Sequence, residues 1–157
     1  MLKKIIIILL ISLAINYLYA NELPQAWSKP EGLIQLNSNR DEFAPSYNHS
    51  ENRLYFNSNI SGKSQLYWVD LQDIESSKPI LAKGLLNNPA ENRSYFSFSD
   101  DGTVYLSAFR RTNKYPFVNI AQSSIQRNAY SEPIFIESLS HNSFNGQATV
   151  SPNGSVM

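Results

Sequence analysis

Three short markers recur along this chain in one order and at nearly one spacing. The first joins Ser, a charged residue and Pro: Trp27-Ser28-Lys29-Pro30, Ser76-Ser77-Lys78-Pro79 and Tyr130-Ser131-Glu132-Pro133, with prolines 49 and 54 apart. The second is a Leu followed by a polar residue: Leu36-Asn37, Leu86-Asn87 and Leu139-Ser140, with leucines 50 and 53 apart. The third is a turn: Asn48-His49-Ser50-Glu51, Ser99-Asp100-Asp101-Gly102 and Ser151-Pro152-Asn153-Gly154, beginning 51 and 52 apart. A fixed internal period of this length restricts a chain to architectures made of stacked, equivalent units.

Each turn separates two strand-like runs. Residues 43–47 lead into the first turn and 53–57 lead out; residues 95–98 and 103–107 do the same around the second. Asp-Gly and Asn-Gly suit tight hairpins because both residues tolerate positive φ. The first turn lacks the Gly, so it is expected to be looser. Gly62-Lys63 and Asn113-Lys114 open a second turn, and residues 65–70 and 117–121 supply a third strand. Residues 80–82 and 134–136 supply a fourth, each beginning just after a proline that an outer edge can accommodate. Helical periodicity is absent after residue 20, and the short runs are β-branched and aromatic.

Four antiparallel strands per period of about 40–50 residues is the unit of a propeller blade. A sandwich shares the coarse pattern of strands but not the period. The expected fold is therefore all-β, a partial β-propeller of four-stranded antiparallel blades. The repeats fall at approximately 37–86, 87–139 and 140–157, giving about two complete blades plus part of a third. Residues 27–36 precede them as an orphan outer strand, centred on residues 32–35. Because propellers close with about four blades or more, residues 21–157 are expected to be an incomplete propeller from a longer protein. Its last three strands would complete the blade that residues 27–36 begin. The competing expectation is a short chain that closes by self-association.

The beginning of the chain has a different character. Lys3 and Lys4 precede an apolar run, Ile5 to Ile15, broken only by Ser12, and Tyr17-Leu18-Tyr19-Ala20 follows. This is the order of a secretory signal, with residues 1–20 as the signal peptide and Ala20 as its last residue. The run is short for a hydrocarbon core of about 30 Å. Cleavage would leave 137 residues with 11 basic and 13 acidic side chains, in the periplasm or secreted. Near-neutral charge argues against nucleic acid as a partner. The absence of cysteine excludes a disulfide framework, a thiolate metal site and a lipidated N-terminal Cys.

Ser151-Pro152-Asn153-Gly154-Ser155-Val156-Met157 resembles the Ser-Pro-Asp-Gly core of WD-like periplasmic propeller repeats, the type found in TolB and in propellers linked to OmpA-like peptidoglycan-binding domains. Glu42-Phe43-Ala44-Pro45-Ser46-Tyr47, followed by Arg53-Leu54-Tyr55-Phe56-Asn57-Ser58-Asn59, is similar to the same pattern one repeat earlier. The Ser-x-Pro and Leu-Asn markers look closer to the OmpA-associated branch. The resemblance spans residues 27–157 and departs at His49-Ser50-Glu51 and at Asp100. It implies architecture and cell-envelope context, since one fold hosts many activities.

Candidate sites are few. His49 and His141 occupy different repeat positions, so they are not expected to converge on a metal. Asp100, Asp101 and Gly102 lack the alternating oxygen ligands of a calcium loop and the Ser-x-Asp-x-Gly spacing of an Asp-box, and read as turn chemistry. Arg110, Arg111 and Lys114 form the densest basic cluster, able to meet a ligand carboxylate but more simply a solvated loop. Tyr115 and Phe117 could stack on sugar rings, although blade packing is the ordinary use of such residues. No Gly-x-Ser-x-Gly is present. No catalytic, cofactor-binding or metal residue is assigned and no cofactor is expected. The expected function is a non-catalytic binding or scaffold module contacting an envelope protein or peptidoglycan-associated partner. The alternative is the N-terminal propeller of an envelope hydrolase, a peptidase or sialidase-like enzyme, with catalytic residues outside this chain.

Overall fold

Strands form where aromatic and aliphatic side chains alternate with polar ones. A computed structural model describes residues 28–110, 116–127 and 129–157. The signal segment 1–20, Trp27, Arg111, Asn113, Lys114 and Tyr115 lie outside the described residues. The chain divides into two units, 1–32 and 33–157. Of the first, only residues 28–32 are described, and they carry no regular element.

The second unit is all-β, built from two antiparallel sheets. The first contains β1 (Glu42–Asn48), β2 (Arg53–Ser58), β3 (Gln65–Asp70) and β4 (Ile80–Leu81) in sequence order. The second contains β5 (Asn92–Phe98), β6 (Thr103–Phe109) and β7 (Asn119–Gln126), then β8 (Ala129–Tyr130) and β9 (Ile134–Phe135). Both short strands pair with β7. Ala121 and Gln122 face Phe135 and Ile134, while Ile125 and Gln126 face Tyr130 and Ala129. Among the described residues the only helical elements are single 3-10 turns at Leu71–Asp73 and Glu137–Leu139. No helix among them is long and apolar enough to cross a membrane.

Period-2 alternation decides which residues meet. In the first sheet, Tyr55 and Leu66 point to one face and Phe56 and Val69 to the other. The first face joins Phe96, Phe98, Val104 and Leu106 of the second sheet in the main core. Tyr55 and Phe98 form its centre, with ring centroids 4.4 Å apart. The opposite face buries Phe56 and Val69 with Leu36, against Leu54, Tyr67 and Ile74.

The turns differ in the residue that closes them. The second closes with Gly102 at φ +82° and the third with Gly154 at φ +70°. The first, also of four residues between its strands, uses Asn52 at φ +52°. Two segments join no ladder. Residues 32–35 are not an outer strand: residues 34–36 form a turn, closed by the Leu36 amide to Leu33 O at 2.9 Å. Residues 80–81 pair with β3, but among the described residues no such strand stands beside 32–35, so the backbone bonds to itself. Residues 155–157 likewise join no ladder. The third turn nevertheless closes like a hairpin, through the Ser151 amide to Val156 O at 2.9 Å.

Candidate functional site

The same irregularity recurs in β1, in β5 and at residue 147. Ala44, Tyr95 and Gln147 adopt φ of +50°, +54° and +64°. They lie 51 and 52 residues apart, in step with the turns. In β1 and β5 this residue interrupts the ladder register, between Phe43 and Ser46 and between Ser94 and Ser97. An inserted residue of this kind re-aims the side chains that follow it. None of the three is glycine, so each position is strained by of order 1 kcal/mol.

A repeated hydrogen bond helps to hold the strained residues. The Tyr95 amide donates to Asn57 Oδ1 of the first sheet at 3.2 Å. The Gln147 amide donates to Ser107 Oγ of the second sheet at 2.9 Å. Asn57 and Ser107 are equivalent, each two residues beyond the tyrosine (Tyr55, Tyr105) that faces the serine following the bulge. Asn57 is fully buried, and its amide nitrogen donates to Arg93 O at 2.9 Å and to Ser64 Oγ at 3.0 Å. The Val150 amide adds a bond to Ser97 Oγ at 2.9 Å. Each repeat is therefore stitched to the next by a polar side chain of its second strand.

β1, β5 and residues 147–150 line one groove of about 560 Å³. Tyr47 and Tyr95 are its large exposed rings, at 47% and 39% exposure. Tyr95 stands edge-on to Phe43 and Tyr47 edge-on to His49. The Tyr47 hydroxyl donates to Asn52 Oδ1 at 3.1 Å. Gln147 and Thr149 add exposed amide and hydroxyl groups. At one end the equivalent turn residues of the three repeats meet: His49 Nδ1 lies 3.8 Å from Asp100 Oδ1, and the Asp100 amide donates to Pro152 O at 2.6 Å. Ring edges, amides and hydroxyls suit recognition of an uncharged polar surface. Among the described residues no serine hydroxyl bonds to His49, and no group of three or more His, Asp or Glu side chains could hold a metal.

The other sequence candidates scatter. His141 donates its backbone amide to Asn119 Oδ1 at 3.0 Å, far in the fold from the His49–Asp100 turn contact. Asp101 accepts from Ser99 Oγ at 2.6 Å and from the Thr103 amide at 2.8 Å. These bonds hold its carboxyl below the usual range, as turn chemistry requires. Phe117 is 47% exposed. Arg110 is committed to protein carboxylates, reaching Glu91 at 2.9 Å and also Glu132.

Two charged networks escaped the sequence reading. In one, Arg93 is 1% exposed and contacts Glu91 at 2.7 Å, Glu132 at 2.8 Å and the Leu85 carbonyl. Burial alone would raise the Glu91 carboxyl, but hydrogen bonds from Arg93 and Arg110 outweigh it and the net shift is downward. In the other, the Tyr55 hydroxyl donates to Glu51 Oε2 at 2.5 Å, and Arg53 lies over the Trp68 ring at 3.7 Å. The tripeptide Glu-Asn-Arg occurs at 51–53 and again at 91–93. In an extended chain its Glu and Arg share one face. That was the available signal.

Burial, reinforced by Glu51, pushes the Tyr130 phenol up to about 12; burial, Tyr130 and Glu51 push Tyr55 higher still. Both are raised above the unfolded value of about 10, so the neutral phenols stabilise the fold fully below that pH. That contribution is lost as pH rises through about 12. Absorbance at 295 nm should show a late tyrosine fraction ionising together with loss of β-structure. Titration of all tyrosines near pH 10 in an intact fold would contradict this.

No protein-family model matches the chain, and no curated protein matches it.

Proposed function

We propose that residues 33–157 carry consecutive blades of a β-propeller-type, non-catalytic binding module of the bacterial cell envelope, with the groove along the first strands as its partner face. The observation that carries this reading is the repeated stitch, Asn57 to Tyr95 and Ser107 to Gln147. It supports one docking operation applied twice, which is how blades succeed one another around a ring. The lysine-led apolar run at residues 3–15 supports export. The Ser-Pro-Asn-Gly turn supports the WD-like periplasmic type. Exposed tyrosines beside amide and hydroxyl groups fit a protein surface, because tyrosine supplies large contact area with little rotamer entropy to lose.

A photo-crosslinking amino acid at position 47, 95 or 149 tests the proposal in envelope extract. It should give a discrete protein adduct, whereas the same group at exposed position 78 should not. Tyr47→Ala combined with Tyr95→Ala should weaken capture by about thirtyfold or more, as for a pair of interface anchors. Equal labelling from position 78, or unchanged capture by the double variant, would overturn it.

A further inference from the structure

A second recess opens between the sheets, lined by residues of β2 to β4 and by the β7–β8 hairpin. Its volume is about 340 Å³, at the small end of the range of about 300–1,000 Å³ usual for sites that take small organic ligands. Two aliphatic side chains line it while remaining substantially exposed, Ile80 at 47% and Ile125 at 42%; Leu81, next to Ile80 in β4, points to the other face of the sheet. Such residues scattered singly would need no explanation, but convergence on one cleft leaves an apolar wall without a cover.

The polar side of the recess carries two cations and one carboxylate, Glu51. Arg53 and Lys83 both line it. Arg53 is fixed by stacking on Trp68 at 3.7 Å and by Nη1 donating to Glu51 at 3.3 Å. Its Nε is buried without a hydrogen-bond partner, 3.5 Å from Asp70 Oδ1. Arg53 thus meets Glu51, Asp70 and the Tyr55 hydroxyl, whereas among the described residues Lys83 has no ion pair. Glu51 is already occupied by the Tyr55 hydroxyl and Arg53. The recess therefore offers one cation without an ion pair, Lys83, and a pre-positioned guanidinium beside an apolar wall. A guanidinium held in place loses less entropy when it binds a carboxylate.

We propose that this recess binds a small organic acid, a monocarboxylate with an aliphatic body. The carboxylate pairs with Lys83 beside the Arg53 guanidinium, and the body lies along Ile80 and Ile125. The site is separate from the groove along the first strands and does not rest on its role.

Trp68 reports on the site directly, because Arg53 covers its ring. In a Trp27→Phe background, octanoate should change Trp68 emission saturably. Octanol, which keeps the body without the charge, and acetate, which keeps the charge without the body, should each need concentrations about tenfold higher or more. Lys83→Gln, an exposed substitution, should raise the octanoate midpoint about tenfold while leaving the octanol response unchanged. Octanoate should also raise the unfolding temperature of the parent chain more than that of Lys83→Gln. Octanol titrating like octanoate, an unchanged midpoint in Lys83→Gln, or an emission change that never saturates would each overturn the proposal.

Discussion

Arg93→Met should lower the unfolding free energy by about 3–5 kcal/mol, the range for removing one partner of a buried ion pair. Arg93 is 1% exposed, and its guanidinium serves Glu91, Glu132 and the Leu85 carbonyl together. Methionine fills much of the volume but leaves that carbonyl without its donor and two carboxylates sharing Arg110 alone. Marginal stability makes a loss of this size decisive, since domains are stable by only about 5–15 kcal/mol. Glu132→Gln should cost far less, because Glu132 is 40% exposed and solvent can take over. Arg93→Lys should fall between, since one ammonium cannot reach three acceptors. The Glu91 carboxyl is depressed in the fold, so its contribution is present above its unfolded pKa and fades as pH falls through the lowered value. Arg93→Met should therefore also flatten stability against pH on the acid side. Urea unfolding followed by tyrosine fluorescence measures all three variants, and a loss below about 1 kcal/mol for Arg93→Met would remove the network from the account.

Gly84→Ala is expected to be comparably damaging for a different reason. Gly84 has φ +99°, and an added Cβ would run into the Tyr130 backbone nitrogen and lie 2.6 Å from its carbonyl oxygen. Backbone cannot swing aside as a flexible side chain can. Gly84 is bridged to Tyr130, and the Leu85 amide donates to Tyr130 O at 2.9 Å. The added methyl would push β8 off the exit loop of the first sheet. Strained φ and overpacking together should cost about 2–5 kcal/mol. Gly62 is the control, with φ +89° and nothing within 4 Å of a built Cβ. Gly62→Ala should carry the strain alone, about 1 kcal/mol. Equal losses at the two glycines, read by thermal unfolding, would show that the contact with Tyr130 is not tight.

The strands were legible because they obey local rules. Period-2 alternation and turn residues located β1 to β7 and β9 within a few positions. The first turn lacks the glycine, and Asn52 takes its left-handed place. Residues 32–35 misled because their Ser-x-Pro marker matches that of a true fourth strand. A strand needs a neighbour to pair with, and a marker cannot supply one. β8 was invisible because it is two residues long and depends on Arg127 at φ +50° and on contact with Gly84. The bulges were hidden for a related reason. Ala44, Tyr95 and Gln147 share no side-chain chemistry, and what they share is a backbone angle, held at Tyr95 and Gln147 by tertiary hydrogen bonds. Arg110 looked like a solvated cation until Glu91 and Glu132, distant in sequence, were brought beside it.

The central claim is that one repeat docks on the next by the same device each time. Site-resolved amide hydrogen exchange tests it most directly, at Tyr95 and Gln147. Both amides should be strongly protected although neither forms a ladder bond. Asn57→Leu should accelerate exchange at Tyr95 and leave Gln147 slow, and Ser107→Ala should do the reverse. Free exchange at either amide in the parent chain, or acceleration of both by either substitution, would contradict a repeated and local stitch.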